Sequence, residues 1–470
     1  MRRTLLFIYI AIIHLCPIGH AQRKCGTAQL KAALIKHDPE WEQRIETQRS
    51  SLQSIADSYL AQKASNAAAK TTVASPIPVI FHIVVTDAQL AKMGGYAGVD
   101  LRCKSQIDAL NRDFNRENGD STLIPSGWKP LYASTGIRFA LAHTQPNGWG
   151  TPGYEVKIIY TSSGGFVQNS KGDYADAKHN ATGGADAWDV TKYLNIWCVN
   201  FADDFGNIGL TQAKSFTAPD GSNSNEEGIC LTYLAVGTQT DPPSLTFPPG
   251  GTFTKGRTLT HEMGHFFEIW HTWGDDFGKC TWTGGVDDGI ADTPPEADSK
   301  YGIPVDTIVG GTIYDACIDS SSVLMQPIGV ASLDYMNYTD DVAMVMFTTQ
   351  QAAVMASMVA AGGENYSLTQ HPDLLNWPAN TGVVPETVNN GLNISPDPSN
   401  GIFNITFNDI TDELKHISVI NTIGQEVKNV DIIHNSPKYY SMDLSGMNKG
   451  IYFVRCNFAS GSITRKILLQ

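Results

Sequence analysis

The segment His261-Glu262-Met263-Gly264-His265-Phe266-Phe267-Glu268-Ile269-Trp270-His271 constrains this chain more than any other. An α-helix sets residues i and i+4 one turn apart on one face, so His261 and His265 can aim two imidazoles at one ion, with the Glu262 carboxylate beside them. Two neutral imidazoles leave a zinc ion open to a third ligand and a water. His271 follows His265 by six residues, too far to stay on the same face, so the helix must end and the chain turn back to the metal. Glu262 cannot ligate with its neighbours in place, but it can hold the water and take its proton. Structural zinc sites usually close with four protein ligands, often cysteines, and this stretch holds none. The pattern points to a catalytic zinc.

A chain of 470 residues can build two or three domains. A net charge of −14 and a pI near 5.2 argue against nucleic acid or an anionic membrane as partner. Arg2 and Arg3, the apolar run Leu5 to Leu15 and the small-x-small site Gly19-His20-Ala21 predict a signal peptide over 1–21. The apolar run is far short of the ~20 residues that span a bilayer, and no other segment could, so no transmembrane anchor is expected. Cys16 has no small residue before it, which disfavours a lipoprotein. Its removal leaves seven of the eight cysteines, and an odd number leaves at least one thiol unpaired within a monomer.

Residues 22–75 read as a helical pro-segment. Asp38-Pro39-Glu40 offers an N-cap, a first-turn proline and an acidic first turn. Trp41, Ile45, Leu52, Ile55 and Tyr59 then recur at helical spacing, giving one apolar face on a piece too small to fold alone. The run 61–74, rich in Ala, Ser, Thr and Lys, reads as a cleavable linker. An N-terminal helix simply packed on the next domain remains the alternative. A second domain, 76–365, is α+β. Strands are expected at Ile77 to Val85, Gly136 to Leu141, Leu194 to Phe201 and, as an edge, Gly228 to Leu234. A helix carries Ile107, Leu110 and Phe114, the zinc helix spans about 256–269 and enters through Thr258 and Thr260, and a last helix lies near 349–361. Residues 366–390 read as a Pro- and Asn-rich linker. Alternating apolar runs separated by Gly, Asn, Asp and Ser then predict a small β-sandwich over 391–470, without a catalytic constellation.

The string HEMGHFFEIWH, followed by Thr272-Trp273-Gly274-Asp275, resembles the metzincin metallopeptidases and, within them, the pappalysin group. A Met-turn is matched by Asp334-Tyr335-Met336-Asn337-Tyr338-Thr339-Asp340-Asp341, and the loop between by Asp288-Gly289-Ile290-Ala291-Asp292-Thr293-Pro294. The resemblance covers roughly 77–365. It implies a twisted mixed sheet with backing and active-site helices over an irregular lower half. It implies His261, His265 and His271 as zinc ligands, Glu262 as general base, Met336 as the floor beneath the metal and Tyr338 as donor to the oxyanion. The motif's glycine is Glu268 here. A non-glycine residue in the left-handed conformation costs about 1–2 kcal/mol, small against the ~10–16 kcal/mol of a structural zinc site.

Further implications follow from the same resemblance. Of the two disulfides of microbial pappalysins, Cys280–Cys317 matches one; the other pair's positions hold Ile303 and Ala343. Calcium is expected at Asp288, Asp292 and Thr293, the alternative being an acidic solvent loop. Cys25, in a Cys-Gly-Thr like that of pappalysin precursors, implies a thiol that takes the open zinc position in a latent form, its thiolate favoured by Arg23 and Lys24. Cys103, Cys198 and Cys230 read as buried thiols, with a Cys198–Cys230 pair left open. Asp340 and Asp341 are expected to favour a basic residue after the scissile bond, unless they are capping or surface acids. The tail resembles C-terminal sorting domains of proteins that the type IX system exports across the outer membrane of Bacteroidetes-type bacteria. The pieces are Ile394-Ser395-Pro396-Asp397-Pro398-Ser399-Asn400-Gly401, Leu444-Ser445-Gly446, Gly450-Ile451-Tyr452 and the Lys466-Ile467 ending.

Together these readings describe a secreted or surface-bound zinc endopeptidase zymogen that acts on proteins or peptides and meets an outer-membrane secretion machinery. The rival is a zinc-binding surface adhesin that has lost catalysis, against which the intact Glu262 speaks.

Overall fold

The central strand, β2 (Ile77–Val85), is buried at all nine positions because both faces of its sheet are covered, which is why it reads as a continuous apolar run. The computed structural model describes residues 24–65, 75–148, 150–160, 164–202, 207–218, 221–238, 253–275, 288–303, 308–309, 312–313, 317, 328–378, 392–407, 414–422, 424–430, 439–458 and 461–470. The expected signal peptide, Arg23, Cys280 and most of the 61–74 run lie outside them.

Ahead of β2 come β1 (Lys24–Cys25), α1 (Thr27–His37) and α2 (Glu40–Ser65). After it come α3 (Asp87–Lys92), α4 (Gly95–Phe114), β3 (Phe139–Leu141), β4 (Tyr154–Ile158), β5 (Leu194–Val199), β6 (Asn207–Gln212) and β7 (Gly228–Thr232). These strands form one seven-stranded sheet in the order β1-β6-β7-β5-β2-β3, with β4 also on β2. Pairing is parallel except between β6 and β7. Ile107, Leu110 and Phe114 of α4 join the core beneath it, as their helical spacing predicts.

Two elements depart from expectation. The strand at 228–232 is internal, and the edge of the catalytic sheet is β6, whose sequence NIGLTQ carries too few apolar residues to announce a strand. β1 then lies outside β6, so the N-terminal segment adds a strand to that edge. In the pro-segment, Asp38 does accept the Glu40 N–H at 3.0 Å, and Trp41, Ile45 and Leu52 are buried, but α1 precedes that cap. Cys103, Cys198 and Cys230 are buried free thiols, so no Cys198–Cys230 bridge forms.

The lower half carries α5 (Arg257–Phe266), a short ladder of β8 (Ile308–Val309) and β9 (Thr312–Ile313), and α6 (Thr349–Val359), which packs against α2. Thr348 and Gln351 form a reciprocal capping box at the start of α6. Residues 366–378, read as linker, fold into 3-10 turns; Leu374 is buried with Ile80, Ala142 and Tyr193. The strand ladders of the C-terminal region are all antiparallel. Strands β10 (Leu392–Ser395), β11 (Ile402–Phe407) and β14 (Tyr439–Asp443) form one sheet. A second is made of β12 (Leu414–Asn421), β13 (Glu426–Val430), β15 (Gly450–Phe458) and β16 (Gly461–Leu469). Its separate core includes Phe403, Ile405, Val419, Val454 and Ile467. Among the described residues no helix is long and apolar enough to cross a membrane.

Candidate active site

The two motif histidines ride on α5, and buried charge fixes that helix at its start. Gly256 turns into it at φ +77°, in place of the entry expected through Thr258 and Thr260. Asp341 accepts the N–H groups of Lys255 (2.8 Å) and Arg257 (3.3 Å). This corrects the specificity role expected of Asp341: it is 1% exposed and spent on the first turn, where a carboxylate complements the helix dipole. Arg257 pairs with Asp120 at 2.7 Å and Asp113 at 3.4 Å. Asp113, from α4, also accepts from Thr260 Oγ1 (2.8 Å) and the Tyr335 hydroxyl (2.9 Å).

The helix stops at Phe266 and reverses through Glu268, whose φ is +69°. The motif's glycine position is therefore left-handed here too. The strain of a side chain there is offset by hydrogen bonds, since the carboxylate accepts from Ser215 N (3.1 Å), Ser215 Oγ (2.7 Å) and Gln48 Nε2 (3.0 Å). Burial pushes its pKa up to about 7.

The reversal delivers His271. Each imidazole donates its Nδ1–H outward: His261 to Tyr335 O (2.7 Å), His265 to Ile269 O (2.7 Å) and His271 to Asp275 Oδ1 (2.6 Å). A backbone carbonyl only accepts, so the first two rings must present unprotonated Nε2 atoms to the centre. Those atoms lie 3.0 Å (His265–His271) and 3.3 Å (His271–His261) apart. Tetrahedral zinc with bonds of about 2.0–2.1 Å needs ligand atoms roughly 3.3–3.4 Å apart, so the set fits the ion. Burial lowers the pKa of His265 and His271, keeping both in the neutral, ligating form. Met336 lies beneath, its sulfur so close to Gly264 that a Cβ there would sit 2.2 Å from it.

Glu262 lies between the metal point and β6. Thr211 Oγ1 donates to its Oε2 at 2.7 Å, and Gly209 lets the carboxylate press on the strand, since a Cβ would come within 2.3 Å of Oε1. Tyr338 packs its ring on His261 and His271. The N-terminal segment occupies this centre. Cys25 Sγ and one nitrogen from each of His261, His265 and His271 all lie within 4.8 Å of one another. Cys25 N donates to the Tyr338 hydroxyl at 3.2 Å, and Thr27 Oγ1 lies 3.4 Å from Glu262 Oε2. Burial, and then the Glu262 charge, push the Cys25 thiol up.

Other expected residues fall elsewhere. Asp288 accepts from Ile290 N (3.0 Å) and Thr293 Oγ1 (2.7 Å), while Asp292 accepts from Thr348 Oγ1 (2.7 Å) and Gln350 N (2.9 Å) at the start of α6. These oxygens brace a loop and a helix. Asp340 is partly exposed. Cys317 is a disulfide cysteine, with its expected partner Cys280 undescribed. Sequence reasoning gave no role to Asp275, though it lies in the quoted motif, or to Thr211, whose weak strand offered no signal.

A helix that stops so that a third histidine can reach the same point, over a methionine, defines the metzincin class of metallopeptidase. Comparison with known proteins carries this further. Residues 178–360 match the family model described as pregnancy-associated plasma protein-A, and 393–470 match the secretion system C-terminal sorting domain. An extracellular metalloprotease of Podospora anserina is 26% identical over 317 residues, covering 67% of this chain and 83% of the relative. Mirolysin in complex with a small compound is 30% identical with a TM-score of 0.53, spanning 65% of this chain and 100% of that one. A promirolysin variant of Tannerella forsythia is 28% identical with a TM-score of 0.57, spanning 75% and 100%. The chain belongs to the pappalysin family of metzincins, and it is a secreted or cell-surface metalloendopeptidase with a C-terminal sorting domain.

Proposed function

We propose that the chain is a zinc endopeptidase made as a latent precursor, with a signal peptide at 1–21, a pro-segment over 22–75, a catalytic domain from 76 and a sorting domain over 391–470. The observation that carries latency is the seating of Cys25 among the three histidines while Cys25 and Thr27 engage Tyr338 and Glu262. His261, His265 and His271 would hold zinc, which supplies Lewis-acid polarisation of the scissile carbonyl and of a water. Glu262, aligned by Thr211, takes the proton of that water as its oxygen attacks the carbonyl carbon. It then returns the proton to the leaving nitrogen. The Tyr338 hydroxyl donates to the oxygen on which charge develops.

With Asp341 committed to α5, a preference for a basic residue after the scissile bond rests on Asp340. A Cys280–Cys317 bridge belongs to this reading. Calcium at Asp288, Asp292 and Thr293 also belongs to it; Asp288 and Thr293 bond each other, and Asp292 bonds the start of α6. The adhesin alternative needs the histidines but not an aligned Glu262, and the Thr211 hydrogen bond favours the enzyme. Processed protein should cleave a casein-type substrate, lose cleavage on chelation and regain it with stoichiometric zinc. Unchanged cleavage in the metal-free protein would refute the proposal.

A further inference from the structure

Lys31 of α1 is buried, and its ammonium meets two side chains of the catalytic domain. Its Nζ lies 3.3 Å from the centroid of the Trp270 ring and 3.6 Å from Asp275 Oδ2. Glu268 adds a favourable field at the same ammonium. A cation over an indole face, with one carboxylate at 3.6 Å and a second lining the same small cavity, is a recognition arrangement for a basic side chain. Asp275 Oδ2 is buried and has the Lys31 ammonium, at 3.6 Å, as its nearest polar partner.

Among the described residues three non-glycine residues have positive φ, and two of them are these acids, Glu268 at +69° and Asp275 at +57°. Each sits where glycine would be easier; Asp275 reaches the Lys31 ammonium, and Glu268 lines the cavity that holds it. Both are oriented by the catalytic domain itself: Glu268 by Ser215, Asp275 by the His271 Nδ1–H. Departure of the N-terminal segment would remove Lys31 and Gln48 and leave these holds intact. The point also adjoins the reaction centre, because Asp275 touches both His271 and Lys31.

We propose that Trp270, Asp275 and Glu268 form a substrate subsite for a lysine or arginine side chain, and that Lys31 fills it in the precursor. This rests on the proposed removal of the pro-segment, and it is a site separate from Asp340.

The test uses the processed, zinc-loaded protein and a positional peptide library containing lysine, arginine and norleucine. One position should favour the basic residues over norleucine, and that ratio should fall about five- to tenfold in Glu268→Gly, with Glu268→Gln showing the same direction. Glycine is the residue the left-handed backbone favours, and zinc content checks that the site is intact. Asp340→Ala should leave the preference at that position in place. A ratio unchanged in both Glu268 variants, or altered only by Asp340→Ala, would overturn the subsite and reduce the pocket to a seat for Lys31. Absence of cleavage of every peptide by zinc-loaded protein would instead defeat the endopeptidase reading.

Discussion

The backbone N–H of Cys25 donates to the hydroxyl of Tyr338 across 3.2 Å and that hydroxyl donates to Cys25 O at 3.4 Å, so the N-terminal segment engages the O–H that the proposed mechanism assigns to the developing oxyanion. On the proposed mechanism one phenol would serve both latency and turnover. Burial raises its pKa, which keeps it protonated and able to donate. Tyr338→Phe in the processed enzyme should lower kcat about 10²- to 10³-fold with KM little changed, as expected for a contact strengthened only in the transition state. Stopped-time peptide hydrolysis checks this; a defect confined to KM would assign Tyr338 to substrate binding instead.

Cys25→Ala precursor, freshly purified and kept cold, should mature faster than wild type, because the thiol no longer excludes water from the centre. Gly26 N still donates to Gly209 O at 2.8 Å, and Gln48 still bridges Glu268 and the Trp270 Nε1–H. Those contacts should leave the variant slowed rather than fully active at once. X-ray absorption of the wild-type precursor should show one sulfur among the zinc ligands. Equal maturation rates together with an all-nitrogen-and-oxygen zinc shell would exclude the thiol as the block.

Asp275 fixes the ring of His271 through a 2.6 Å hydrogen bond. Partners of this kind typically contribute 10- to 100-fold in metal affinity, so Asp275→Ala should raise the zinc dissociation constant by about that factor. Competition against a fluorescent chelator measures it. An unchanged constant would mean that packing on Trp273, whose ring stacks on His271 at 4.4 Å, orients the ligand unaided.

Much of the site was legible because its chemistry is local in sequence. His261 and His265 follow from helical spacing, and the need for a reversal before His271 follows from the six residues between. The left-handed backbone at Glu268 was likewise implied by the glycine it replaces. What could not be read depends on long-range placement. Thr211 reaches Glu262 only because β6 lies at the sheet edge, and β6 is too polar to stand out as a strand. Asp341 looked like a pocket acid, yet its neighbours in space are the first N–H groups of α5, 84 and 86 residues earlier in the chain. Lys31 had no local signal, since its partners Trp270 and Asp275 are more than two hundred residues away.

The central claim is that Glu262 moves the proton while the histidines hold the metal. Processed Glu262→Ala should retain one zinc per chain by elemental analysis and lose peptide hydrolysis by at least about 10²- to 10⁴-fold. Near-wild-type hydrolysis in that zinc-loaded variant would contradict the account.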